Sequence, residues 1–197
     1  MRVSVNEGWK RIGERMRRAM WVAAAGLLLA TTAAGCRGAG LAVPVRLELT
    51  SPSFQNGSSI PAQFTCDGAG ISPRLIWSAP PAGTKAFALI VLDPDAPGGP
   101  FTHWVLYDLP AGTRSLAEAL PAEGRLGDGA RQGRNDFGKT GYGGPCPPGH
   151  QQHHYLFTLF ALDRRLNLTA GATRSQVEAA MRGHVLALSE LTGLYRR

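Results

Sequence analysis

Three stretches hold side chains that could do chemistry. The first is "DPDAP", residues 93–97, where Asp93 and Asp95 are fixed by two prolines into a rigid acidic corner. The second is His103, opening the run "HWVLYDLP". The third is "GYGGPCPPGHQQHHY", residues 141–155, which gathers glycines, prolines, three histidines and Cys146 just before an apolar run. Imidazoles, a tyrosine hydroxyl and glycine amides are hydrogen-bond donors, the equipment for holding an anion. Carboxylates repel an anion, so Asp93 and Asp95 belong in such a site as groups that orient imidazoles or raise their pKa values.

The same residues admit other chemistries. Cys146, His150, His153 and His154 are zinc-ligand types at close spacing, but neighbouring His153 and His154 fall on opposite faces of a strand and the ligand pattern is incomplete. Asp93 with His153 could act as a base in a hydrolase. No nucleophile elbow accompanies them, and Cys146 sits between prolines rather than at a helix start. The reading is therefore a non-catalytic binding pocket with no metal and no cofactor. Action through the surface, as a protease or kinase inhibitor, is the alternative, and no surface motif speaks for it.

Strands must position these groups. "AFALIVLDPDAP" opens with seven apolar residues, Ala86 to Leu92, suited to a central strand buried on both faces. "HWVLYDLP" reads as a second strand, with Val105 and Tyr107 on the face of His103. "HYLFTLFALD" reads as a third, with Tyr155, Phe157, Leu159 and Ala161 on one face and His153 on the same side. Thr173 and Gln176 form a capping box, and Val177, Met181, Val185 and Leu188 follow helical spacing towards a stop at Gly193. The expectation is a mainly β fold, a two-sheet antiparallel sandwich with a C-terminal helix.

The 197 residues carry a formal charge of +7 and a pI near 9.9. Residues 1–35 account for +4 of it, leaving +3 on the remainder, and no basic cluster with interleaved aromatics is present. That argues against a nucleic-acid partner. "RMRR", the apolar "MWVAAAGLLLATTAA" and "AAGC" read as an export signal over residues 1–35. The small-small-Cys ending resembles a bacterial lipobox, which makes Cys36 the lipid attachment site and the membrane a partner, although Ala33 stands where leucine is usual. A conventional signal peptide with an incidental Cys36 is the alternative. Residues 36–44 form a tether and residues 45–197 the domain, expected outside the cytoplasm on the cell envelope. Cys66 and Cys146 are then an even pair in an exported domain: a disulfide candidate, or two buried thiols.

"DPDAP", "HWVLYDLP" and "NDFGKTGYGGPCPPGHQQHHY", with "IPAQFTCDGAGISPRLIW" (60–77) and "GHVLALSELTGLYRR" (183–197), resemble the phosphatidylethanolamine-binding proteins. The likeness runs from about Leu47 to the end. It is to the bacterial, Raf-kinase-inhibitor-like branch. It implies a shallow pocket at one end of a β-sandwich that takes phosphate or a phospholipid head group. On this chain the pocket residues would be Asp93, Asp95, His103, Gly141, Gly143, Gly144, Pro145, His153 and Tyr155. Two departures touch that pocket. Pro148 passes straight to Gly149 where the family often has a lysine, and His154 replaces a common arginine.

Overall fold

The computed structural model describes residues 46–197. The signal segment, Cys36 and the whole of the tether expected above lie outside these residues. In chain order the strands are β1 (Leu49–Thr50), β2 (Ser58–Ser59), β3 (Leu75–Trp77), β4 (Ala86–Asp93), β5 (Phe101–Pro110), β6 (Ser115–Leu116), β7 (Arg131–Gln132), β8 (His153–Leu162) and β9 (Val185–Tyr195). The α-helix α1 (Arg174–Met181) precedes β9.

Two sheets make the sandwich. The larger is ordered β2-β9-β8-β4-β5-β7 and the smaller β1-β3-β6. All pairings between these strands are antiparallel except β2 with β9. The unbroken apolar run does form an inner strand, β4, flanked by β5 and β8. One face of it, Phe87, Leu89 and Val91, packs in the main core with Trp77, Leu106, Phe157 and Leu159. The other face of the sheet is covered by the segment that carries α1. There Tyr107 donates its hydroxyl to Thr169 O, and Val177 and Met181 are fully buried. Covering both faces is what an all-apolar strand requires, since an exposed face would select alternation.

The capping box starts α1 as expected: Gln176 N–H reaches Thr173 Oγ1 at 3.4 Å and Thr173 N–H reaches Gln176 Oε1 at 2.9 Å. The helix then ends at Met181, far short of Gly193. Gly183 takes a left-handed φ of 79°, and the chain reverses into β9. Residues 185–195 are thus a strand, a correction to the expected long helix. Val185 and Leu188 satisfy helical spacing by coincidence. The face that pairs with β8 alternates, with Tyr155 opposite Gly193 and Phe157 opposite Leu191.

Candidate functional site

β4 ends at Asp93, β5 begins at Phe101, and β8 begins at His153. Because these three strands are hydrogen-bonded neighbours, their ends meet on one edge of the sandwich. Asp93 is 3 % exposed, and its Oδ2 accepts His153 Nδ1–H at 2.8 Å. Its Oδ1 accepts the Asp95 amide at 2.8 Å, an Asx turn that locks the "DPDAP" corner. Asp95 does the same outside. Its Oδ2 takes the His154 amide and His154 Nδ1–H, both at 2.8 Å. His153 is buried and His154 exposed, the opposite faces expected of neighbours on a strand. The two aspartates therefore do orient imidazoles, one pair buried and one on the surface.

His103 reaches the site by a route that alternation does not predict. Leu92 pairs with Thr102, and Val91 with Trp104, so His103 is the extra residue of a β-bulge. The bulge turns His103 onto the core face beside Trp104, away from Val105 and Tyr107, which corrects the expected face. Its ring meets Tyr155 edge-on at 5.1 Å, Phe101 at 5.3 Å and Phe137 at 5.3 Å. Nδ1 lies 2.7 Å from Gly143 O. A carbonyl only accepts, so Nδ1 carries the proton, and among the described residues Nε2 makes no hydrogen bond.

A cavity of about 460 Å³ opens here. Asp93, Phe101, His103, Asp136, Phe137 and Cys146 line it, with the 96–100 turn and Pro147–Pro148. His153 and Tyr155 stand behind this lining rather than in it. Tyr155 is 1 % exposed, and its hydroxyl makes no hydrogen bond of normal geometry among the described residues, with Asp93 the acceptor beside it. The Gly143 amide does not serve as expected. Gly143 N–H donates to His103 O at 2.8 Å, so that amide is turned to β5 and not to the cavity. A Cβ on Gly143 would lie 2.5 Å from the Phe137 ring, and one on Gly144 would lie 2.9 Å from Phe64 O. These glycines let the wall pack closely. Gly141 O accepts Asn135 Nδ2–H at 3.0 Å, and Pro145 O accepts the Cys66 amide at 3.0 Å. Cys66 and Cys146 are joined by a disulfide, Cα–Cα 5.4 Å, which fixes the wall.

The electrostatics follow from burial. Desolvation pushes His103 below the usual histidine range, against the Gly143 carbonyl and the charges of Asp93 and Asp136 that favour the imidazolium. Burial also raises the Tyr155 phenol strongly, with Asp93 adding to it. Burial works to raise Asp95, but its bonds to the His154 amide and ring outweigh it and hold the carboxyl below the ordinary value. No Lys or Arg is among the described residues lining the cavity. No cluster of three metal-ligand side chains occurs among the described residues, and the disulfide removes Cys146 both as a thiolate ligand and as a nucleophile. His150 lies away from that set, its Nδ1 3.2 Å from Arg197 O.

The family model for phosphatidylethanolamine-binding protein matches residues 50–196. This chain belongs to that family. It is 52% identical over 153 residues to a UPF0098 protein of Aquifex aeolicus, covering 77% of this chain and 89% of the relative. It is 41% identical over 150 residues to LppC of Mycobacterium tuberculosis, named as a lipoprotein, covering 76% of this chain and 72% of that one. Among crystal structures it matches YbcL of Escherichia coli, described as a new member of the mammalian PEBP family, with TM-score 0.71 and 35% identity over 78% of this chain and 99% of that one. CT736 of Chlamydia trachomatis matches at TM-score 0.71 and 39% identity, over 77% and 98%. Family membership carries the coarse class with it: a non-catalytic, anion-binding module. Asp136, Phe101 and Phe137 were not singled out from the sequence. The signal for Asp136 and Phe137 was "NDFG", a turn with an aromatic at its tip, and Phe137 is 44% exposed there.

Proposed function

We propose that this protein is a lipid-anchored envelope member of the bacterial, Raf-kinase-inhibitor-like branch. In this reading its cavity holds a small phosphorylated or otherwise anionic ligand without transforming it. The observation that carries the reading is His103. It is 3 % exposed, its Nδ1 is clamped to Gly143 O, and Nε2 is left for whatever enters the cavity it lines. A buried imidazole with one edge committed and the other open is set for a ligand contact, since buried polar groups are otherwise paired. The lipid anchor rests on the small-residue run ending at Cys36 and on the likeness to LppC.

Calorimetric titration with inorganic phosphate tests the cavity. Binding should be measurable in the wild type and fall by at least about tenfold in His103→Ala, the loss of one hydrogen bond to a charged group. Undiminished binding in that variant would move the site elsewhere. Membrane fractionation of Cys36→Ala tests the anchor, and the variant should leave the membrane with its folded domain intact.

A further inference from the structure

The polar side chains that line this cavity are acceptors. Asp93 and Asp136 line it. Asp136 Oδ2 accepts the Thr102 amide at 2.7 Å, and its other oxygen has no partner among the described residues. His103, with its proton held on Nδ1 by Gly143 O, presents Nε2 as a lone pair whenever the ring is neutral. The Gly143 amide, a donor that could have faced the cavity, is spent on His103 O. Of the donors nearby, Tyr155 O–H lies behind the lining. His153 Nδ1–H is given to Asp93. Arg197, 4.0 Å from Cys146 Sγ, is tied to Asp67 at 3.2 Å. Phe101 and Phe137 complete the wall with ring edges.

A fully ionised oxyanion is also acceptor-only. Placed here it would set acceptor against acceptor, with two carboxylates and no lining cation to offset them. An oxyanion carrying its own hydroxyl reverses one of those contacts: its O–H donates to a carboxylate or to Nε2. We propose that the cavity selects a phosphate group bearing its own proton, free phosphate or a phosphomonoester, over sulfate and over phosphodiesters. This deepens the reading of the cavity as an anion site, and rests on it. Hydrogen phosphate and sulfate share shape and charge and differ by that one hydroxyl. Methyl phosphate, whose second pKa is about 6, carries such a hydroxyl in mildly acid solution, whereas dimethyl phosphate cannot, because a diester has no ionisable oxygen left to carry a proton.

Burial supports the proposal by keeping His103 neutral, below its ordinary range. Sulfate can still bind, but only if the protein takes up the missing proton at His103. The groups that face that ring are Asp93 from β4, Asp136 from the 135–138 turn, and Tyr155 from β8. His153 reaches it only through Asp93.

The test is calorimetric titration of the disulfide-bonded domain at pH 6.0, where phosphate and a monoester both carry an O–H, with inorganic phosphate, sulfate, methyl phosphate, dimethyl phosphate and glycerophosphoethanolamine. Each titration is run in two buffers of different ionisation enthalpy. Phosphate and methyl phosphate should bind on the order of tenfold to a hundredfold more tightly than sulfate and dimethyl phosphate, the range for one charge-assisted hydrogen bond. Sulfate, where it binds, should draw more protons from the buffer than phosphate does. A short-chain phosphatidate, also a monoester, separates a lipid-borne group from free phosphate by whether it binds more tightly than methyl phosphate. Asp136→Asn keeps an oxygen for the Thr102 amide and adds an N–H donor, so sulfate should gain and the phosphate-to-sulfate ratio narrow. Equal affinity for phosphate and sulfate, or sulfate binding without proton uptake, would overturn the selection and leave the anion site standing. Glycerophosphoethanolamine binding as tightly as methyl phosphate would overturn the monoester assignment, its ammonium then being the donor. Binding of none of these compounds would remove the anion-site reading and this inference with it.

Discussion

His103 is held neutral at a cost that depends on pH. Burial lowers its folded-state pKa below the ordinary 6.5, so as pH falls the unfolded chain takes up a proton first. The stability linked to it is complete above 6.5 and is lost as pH falls from 6.5 through the lowered folded value. Below that value both states are protonated and no more is lost. Asp95 acts in a separate, more acid window. Its folded pKa is lowered too, so its contribution is present above 3.8 and is lost as pH falls through the folded value. Urea midpoints of the wild type and His103→Gln, compared at pH 8, 6 and 5, isolate the first window. The difference between the two proteins should change between pH 8 and pH 5, with the wild type losing more. Curves that stay parallel would mean that His103 is not buried in its neutral form. At this scale the sequence was a partial guide. Asp93, His103 and His153 could be picked from residue type and order, and the same-side placement of His153 and Tyr155 from alternation. The engagement of the Gly143 amide could not, because it depends on how the 141–145 segment lies against β5.

The elements were legible where one rule governed and illegible where two competed. β4 is a run of apolar residues with no other home than a two-sided core, and β8 alternates from His153 to Leu159 before its last residues are buried on both faces. The bulge at His103 inserts one residue into β5 without changing its composition, so no periodicity announces it. β9 failed because "VLALSELTGLY" satisfies helical and strand spacing together. The strand is closely packed at Gly193, which sits opposite Tyr155 under Ile60. A Cβ there would lie 2.4 Å from Ile60 Cγ1 and 3.0 Å from the Phe54 ring. Ile60 is itself only 2 % exposed, so it has little room to move. Gly193→Ala should therefore destabilise the domain by about 1–3 kcal/mol, the usual cost of overpacking a filled core. Gly112→Ala is the control, with nothing within 4 Å of the added methyl, and should stay within about 0.5 kcal/mol of the wild type. Chemical denaturation of the two variants decides it, and equal midpoints would show that β9 can shift to admit the methyl.

Across the whole molecule, the site depends on a link between distant parts of the chain. Cys66 follows the 3₁₀ turn Ala62–Phe64, Cys146 stands in the cavity wall, and 80 positions separate them. Lesser ties run beside the disulfide: Tyr142 O–H to Phe64 O at 2.9 Å, and Tyr195 O–H and Arg197 to Asp67 at 2.5 and 3.2 Å. Closing a loop of that span constrains the unfolded chain by up to about 4.5 kcal/mol on the chain-entropy model, with about 2–4 kcal/mol the usual measured range. The sheets do not need it to form, because their core of Phe87, Leu89, Trp104 and Phe157 lies on β4, β5 and β8, where neither cysteine sits. Cys66→Ser/Cys146→Ser should thus still fold, less stable by about 2–4 kcal/mol. Its cavity should be affected unevenly. Asp93 and His103 are held by strands and stay in place, whereas Cys146, Pro147 and Pro148 lose their anchor. Phosphate affinity should fall several-fold without vanishing, and the wild type should match the double variant once its disulfide is reduced. Urea denaturation with and without reductant, paired with phosphate titration under the same conditions, measures both effects. Unchanged affinity in the reduced protein would show that the hydrogen bonds of Tyr142 and Tyr195 hold the wall by themselves. Complete loss of binding would show that the wall, and not the strand ends, carries the contacts to the ligand.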